Sequence, residues 1–155
     1  MRSPPRYLGL LGELAMAMGR VGEVAQPLET IEGAIGRPES WQERWCLPEL
    51  LRIKGELLLQ AKAPNAASAA SSYFRRALDL AVEQSALSWQ LRAAMSLAKL
   101  QRDQRNVEEA RNLLRPIYGQ FTEGFATRDL TEARHLLDLL VVTSGTSRHT
   151  IFCKI

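Results

Sequence analysis

The chain is poor in the residues that form disulfide frameworks and metal sites. It has two cysteines and two histidines among its 155 residues. Cys46 and Cys153 are too few for a disulfide-stapled fold. His135 and His149 have no second histidine or cysteine at the spacing of a zinc site. We therefore expect no bound metal, and the low cysteine content indicates a reducing, cytoplasmic compartment.

Long apolar runs are also missing. The most suggestive stretch is the N-terminus, where a basic segment at 1–6 precedes a largely apolar one at 7–18, as in a secretory signal peptide. Glu13 interrupts this stretch, and the same residues belong to the repeat described below, so we interpret them as a helix of the domain. No stretch approaches the roughly 20 apolar residues of a membrane span, and we expect no membrane partner.

Neither sign of charge dominates the chain. Its 20 Lys and Arg residues stand against 17 Asp and Glu residues, which gives a net charge of +3. Acidic residues lie beside basic ones, as at Arg75, Arg76 and Asp79, so the sequence has no basic stripe of the kind that binds nucleic acid. A nucleic-acid partner is therefore disfavoured, although the arginine content keeps a nucleic-acid-binding helical domain as an alternative.

The residue patterns of common catalytic sites are absent from the sequence. A phosphate-binding loop requires Gly-Lys followed by Ser or Thr, and none of the four lysines has those neighbours. No serine lies in a Gly-x-Ser-x-Gly turn. The pair Glu108-Glu109 suits the first turn of a helix, where carboxylates complement the helix dipole. We therefore predict no catalytic residue, no cofactor and no enzyme activity.

An internal repeat decides the predicted fold. Three apolar helical segments each contain a small residue, Gly12, Gly55 or Ala98, and each of these lies 43 residues after the one before. Gly inside a helix costs about 1 kcal/mol relative to Ala. Its presence at Gly12 and Gly55 therefore predicts the close approach of a neighbouring helix.

A second helical pattern follows each of these segments. Apolar residues recur three and four positions apart, which marks one buried face of an amphipathic helix. The repeating unit is therefore a pair of helices, each with a small residue where the two helices cross. The residues of the second pattern are Val24, Leu28, Ile31 and Ile35; Ala70, Tyr73, Phe74, Ala77, Leu78 and Ala81; and Ala110, Leu113, Leu114, Ile117, Tyr118 and Phe121.

Together these patterns predict an all-α protein, an α-solenoid of three antiparallel helical hairpins with a C-terminal capping helix. We expect a single domain over residues 5–140 and an extended or disordered tail at 141–155. The predicted parts of the domain are units at about 5–38, 45–84 and 87–122 and a capping helix at 129–140.

Local signals place the connections. The second unit has three extra residues, which we assign to a loop at 61–72. Asn106 and Glu109 have the spacing of a capping box at a helix start. Pro116 lies inside a predicted helix and should kink it.

These residues resemble tetratricopeptide (TPR) repeats. Ala98, Ala110 and Leu114 match three of four positions in the family's pattern of small and large residues, and Ile117 stands at the fourth, where the family has Ala. The period of 43 also exceeds the family's length of about 34. A narrower resemblance, carried by 45–58, 73–81, 89–94 and 118–125, is to the C-terminal helical-repeat region of bacterial signalling proteins. Those proteins join an adenylate/guanylate cyclase or DNA-binding domain to an AAA-type ATPase and then to the repeats.

The resemblance implies a non-catalytic protein-interaction or regulatory module, namely the C-terminal scaffold or sensor part of such a signalling protein. The partner would be a protein or a peptide, and the exposed ends of a short array favour a homo-oligomer. A nucleic-acid-binding helical domain and a small-ligand sensor of a transcription regulator are the alternatives.

A TPR-like stack also implies a groove lined by the first helix of each unit. The charged candidates are Arg52, Glu56, Lys99 and Arg102, which would form a mildly basic groove suited to an acidic peptide or a C-terminal carboxylate. The other positions that face this groove are Gly9, Glu13, Met16, Leu59 and Met95.

The three tryptophans need a separate interpretation. Trp45 and Trp89 precede first helices, where we expect them to wedge between hairpins, and a ligand pocket beside them is the alternative. Trp41 lies in a connection and is expected to be the most exposed of the three.

Overall fold

The computed structural model describes residues 25–35, 44–62 and 64–146. All regular structure in these ranges is helical, which confirms the predicted all-α class for this part of the chain. The predicted helix around Gly12, with Gly9, Glu13 and Met16, lies outside the described residues, as does Trp41. The elements are α1 (Ala25–Ile35), a 3-10 turn (Arg44–Cys46), α2 (Leu47–Gln60), α3 (Ala66–Glu83), α4 (Leu87–Asp103), α5 (Val107–Tyr118) and α6 (Arg128–Thr146).

The chain divides into two compact units, Met1–Ala93 and Ala94–Ile155, where the sequence predicts one domain over 5–140. The boundary falls inside α4. Its first turns therefore belong to the first unit and its last turns to the second.

In the first unit, α2 and α3 form the predicted hairpin. Gly55 of α2 faces the ring of Phe74 of α3, and a Cβ atom built on Gly55 would lie 2.5 Å from Phe74 Cε1. Leu51 and Ala77 share a core cluster one turn further along. Because residue numbers rise along α2 as they fall along α3, the helices are antiparallel. The close approach that Gly55 predicts is confirmed here.

The connection between these helices is shorter than predicted. Helix α3 begins at Ala66, so 66–72 is helical and the assignment of 61–72 to a loop is wrong. Four alanines precede Ser71, and alanine has the highest intrinsic helix propensity. The helix therefore begins at the first residue after Pro64 and Asn65.

Helix α2 is covered on two sides. One cluster joins it to α1 and contains Ile31, Cys46, Leu50, Ile53 and Leu57. The other joins α2, α3 and the start of α4 through Leu51, Ala77 and Ala93. Burial on two faces explains why α2 is apolar over most of its surface.

Helices α3 and α4 end in the same way. Ser85 and Arg105 have φ angles of 53° and 67°, in the left-handed region. After α3 the amide of Ser85 donates to Val82 O and that of Ala86 to Ala81 O, which is the Schellman pattern. The amides after α4 repeat it. Both helices thus turn into the next one through connections of the same form.

In the second unit, α5 packs against α6. Helix α5 buries Ala110 and Leu114, and α6 buries Leu130, Ala133, Leu136 and Leu140. The buried residues of α6 lie in the segment predicted to be a capping helix, 129–140. His135 of α6 is exposed.

Three details of the second unit differ from prediction. Helix α6 runs to Thr146, so residues 141–146 are helical, although the tail predicted as extended or disordered was expected to begin at 141. Asn106 makes no side-chain capping bond, and the Glu109 carboxylate accepts from Gln101 Nε2 at 3.4 Å, so the predicted capping box does not form. Helix α5 ends at Tyr118, two residues after Pro116, rather than continuing to Phe121.

Candidate protein-binding surface

Two tryptophans meet at the surface of the first unit. Trp45 lies in the 3-10 turn before α2, and Trp89 lies in the first turn of α4. Their ring centroids are 6.4 Å apart with the planes tilted by 39°, within the range of favourable aromatic pairs. Trp45 remains 45% exposed, so the pair presents a large aromatic area to solvent.

Arg92 completes this arrangement. It lies one helical turn after Trp89, and its guanidinium carbon is 5.2 Å from the centre of the Trp89 ring, a cation–π distance. The Arg92 side chain is 32% exposed. We call Trp45, Trp89 and Arg92 the Trp–Arg cluster.

A buried carboxylate holds the cluster in place. Glu49 of α2 is 6% exposed, and its Oε1 accepts from Arg92 Nη1 at 3.0 Å. The same carboxylate accepts two bonds from Arg52, from Nη2 at 2.8 Å and from Nε at 2.9 Å. A buried carboxylate is costly unless it is paired and hydrogen-bonded, and three charge-assisted bonds satisfy it.

The state of Arg52 follows from the same contacts. Burial alone would lower its pKa, but the hydrogen bond and charge of Glu49, with a further contribution from Glu56, outweigh burial and raise the pKa. Arg52 is therefore cationic at any pH at which the chain folds. Its side chain is only 15% exposed, and Glu56 lies 3.6 Å away.

The predicted groove residues thus differ in their surroundings. Arg52 and Glu56 belong to one ion-pair chain in the first unit, so the Arg52 charge is offset within the protein. Lys99 and Arg102 lie in the second unit. Lys99 is exposed, and Arg102 Nη2 pairs with Asp103 Oδ1 at 2.8 Å.

Sequence reasoning missed Glu49 and Arg92. A signal was available, because these two residues are 43 positions apart, which is the repeat length. The predicted repeat places them at equivalent positions in the first helices of neighbouring units. Opposite charges at equivalent positions of adjacent repeats predict an ion pair wherever those helices are neighbours.

Two further findings concern the described part of the chain. No group of three His, Cys, Asp or Glu side chains within it could hold a metal ion. No helix in it has the length and apolar character that crossing a membrane requires.

Comparison with known proteins adds no relative. No protein-family model, no curated protein and no solved structure matches the chain.

Proposed function

We propose that this chain is a non-catalytic helical module that binds a protein or peptide through the Trp–Arg cluster. The observation that carries the proposal is the Trp45–Trp89 pair, in which Trp45 is exposed, flanked by an arginine that a buried carboxylate orients. Tryptophan and arginine are the residues most enriched among those that dominate binding energies at protein interfaces.

The supporting contacts explain why this surface suits binding. Arg92 is held by Glu49 and by the Trp89 ring, so little side-chain entropy remains to be lost when a partner docks. Glu49 is itself held by Arg52. A partner would therefore meet an aromatic surface and a guanidinium group that are already in position.

The narrower proposal follows from the resemblance to bacterial signalling proteins. In that setting the module would be the C-terminal scaffold or sensor part of an ATPase- or cyclase-type protein. The Trp–Arg cluster would then receive a segment of a regulatory partner or of another domain.

Selection from a displayed peptide library against the full chain tests the proposal. The selected peptides are titrated against the wild type, against Trp45→Ala/Arg92→Gln and against a matched control, Arg76→Gln/Val82→Ala. Arg76 and Val82 are exposed on α3 and lie outside the cluster. We expect Kd to rise about 30-fold or more in the cluster variant and to stay unchanged in the control.

The folding of each variant is checked by circular dichroism and thermal melting. Glu49 keeps both Arg52 bonds when Arg92 is replaced, so a folded variant is expected. Peptides that bind the cluster variant and the wild type equally well would refute the proposal.

A further inference from the structure

A second exposed aromatic surface lies in the other unit, in the connection between α5 and α6. Phe125 is 50% exposed and packs against Tyr118, with ring centroids 6.0 Å apart and planes at 60°. Glu123, two residues earlier, is exposed and is the one charged residue in 119–127. We call residues 119–127 the Phe–Glu loop.

The Phe–Glu loop is held in shape by its own hydrogen bonds. Thr127 donates to Gly124 O from both its amide, at 2.8 Å, and its Oγ1, at 2.7 Å. Thr131 Oγ1 donates to Thr127 O at 2.8 Å and lies 3.4 Å from Phe125 O. Gly124 has a φ of +76°, which glycine adopts without steric cost. A loop with a fixed shape loses little conformational entropy on docking.

The chemistry of this loop complements that of the Trp–Arg cluster. The loop offers an exposed phenyl ring and a carboxylate close together in the chain. The cluster offers two indole rings and a partly exposed guanidinium group. Arg92 and Arg52 share the Glu49 carboxylate, and Arg52 also lies 3.6 Å from Glu56. Aromatic pairs are favourable beyond the area they bury, and a carboxylate beside Arg92 adds a charge-assisted hydrogen bond.

We propose that the Phe–Glu loop of one copy docks on the Trp–Arg cluster of a second copy, with Phe125 against the Trp45 side of the cluster and Glu123 beside Arg92. The proposal rests on the proposed function, since it uses the same surface and names its partner. The two surfaces differ, so the contact is head-to-tail. Every open assembly keeps one free Phe–Glu loop at one end and one free Trp–Arg cluster at the other. Further copies can therefore add until the assembly closes into a ring.

Complementary double variants test this arrangement by sedimentation velocity over a range of concentrations. The cluster variant is Trp45→Ala/Arg92→Gln, and the loop variant is Glu123→Gln/Phe125→Ala. We expect concentration-dependent association of the wild type and a loss of about 30-fold or more in either variant alone. Arg76→Gln/Val82→Ala is the matched control and should associate as the wild type does.

Mixing the two variants gives the decisive measurement. The intact loop of the cluster variant can dock on the intact cluster of the loop variant, and no other contact of this kind remains. The mixture should therefore form a 1:1 heterodimer and nothing larger. If a double variant folds poorly, the wild type supplies a second readout, because a Glu123–Arg92 pair predicts weaker association as the salt concentration rises.

Three results would overturn the proposal: a wild type that is monomeric at every concentration, association that both variants retain, or a mixture without heterodimer. A monomeric wild type that still binds selected peptides through Trp45 and Arg92 would refute self-association and leave the proposed function standing. Self-association that only the loop variant loses would refute docking on the Trp–Arg cluster, and the peptide titration would still decide the proposed function.

Discussion

Arg92 Nη1 donates to Glu49 Oε1 at 3.0 Å, joining α4 to α2 at positions 43 residues apart. Glu49 is buried, and Arg52 donates two further bonds to it. The ion pair therefore does two things. It satisfies a buried charge between α2 and α4, and it orients the exposed arginine of the Trp–Arg cluster.

Removing the Glu49 carboxylate should destabilise the fold strongly. In Glu49→Ala, Arg52 stays largely buried and loses its two hydrogen bonds to Glu49 while keeping Glu56 at 3.6 Å. Breaking a buried ion pair by removing one partner costs about 3 kcal/mol or more. The free energy of unfolding from urea titration measures this. Arg102→Gln is the control, since it removes an exposed pair with Asp103 worth under about 1 kcal/mol. Equal losses in the two variants would contradict the role assigned to Glu49.

Two glycines inside helices should respond to alanine in opposite directions. In Gly55→Ala the new Cβ meets Phe74 at 2.5 Å, and we expect a loss of about 1–3 kcal/mol from overpacking. Gly33 has nothing within 4 Å of its added Cβ, so Gly33→Ala should gain up to about 1 kcal/mol from helix propensity. Thermal melting compares the two. A further replacement, Phe74→Leu, should recover part of the Gly55→Ala loss, and a neutral Gly55→Ala would show that α2 and α3 do not approach this closely.

Glycine should be favourable at the residue that follows α3. Ser85 has a φ of 53°, where a Cβ atom costs about 1 kcal/mol, so Ser85→Gly should stabilise the chain by up to that amount. The neighbouring Gln84 has a φ of −82°, where glycine brings only a more flexible unfolded state. Gln84→Gly is therefore expected to destabilise. Chemical unfolding of the two variants gives the sign of each change in unfolding free energy. A stabilising Gln84→Gly would argue against this backbone geometry.

The contribution of Lys54 should disappear at high pH. Its ammonium lies 2.9 Å from Glu32 Oε1 and 4.7 Å from the centre of the Tyr73 ring. Burial alone would lower the pKa of Lys54, but the contacts with Tyr73 and Glu32 outweigh it and raise the pKa above its ordinary 10.5. A raised lysine pKa stabilises the fold fully below the unfolded value, and this stabilisation is lost as pH rises through the folded value.

The measurement is the difference in unfolding free energy between the wild type and Lys54→Met as a function of pH. The difference should be constant near neutral pH and shrink above about pH 10.5, the ordinary lysine value. Lys62→Met, at an exposed position, is the control and should change the unfolding free energy little. If the difference in unfolding free energy between the wild type and Lys54→Met persisted unchanged at high pH, packing of the Lys54 stem, rather than its charge, would be what stabilises α1, α2 and α3.

The periodicity of apolar residues was enough to predict several of the helices and their buried faces. The apolar positions of α3, α5 and α6 are read from spacings of three and four residues, because a helix brings such residues to one face. Gly55 predicted a close contact with a neighbouring helix, because the loss of helix stability caused by glycine has to be offset by packing. Helix ends were less predictable. Whether Glu109 caps a helix or accepts from Gln101 depends on a side chain contributed by a different helix.

The sequence by itself determined that the described chain is helical, where its helices bury their apolar faces, and that Gly55 meets a neighbouring helix, because all three follow from residues within one or two turns. Only the tertiary structure decided that Glu49 neutralises Arg52 while holding Arg92, and that Trp45 meets Trp89. The Glu49–Arg92 and Trp45–Trp89 contacts join residues 43 and 44 positions apart. They depend on the rotamers and register of packed helices, which no local pattern specifies.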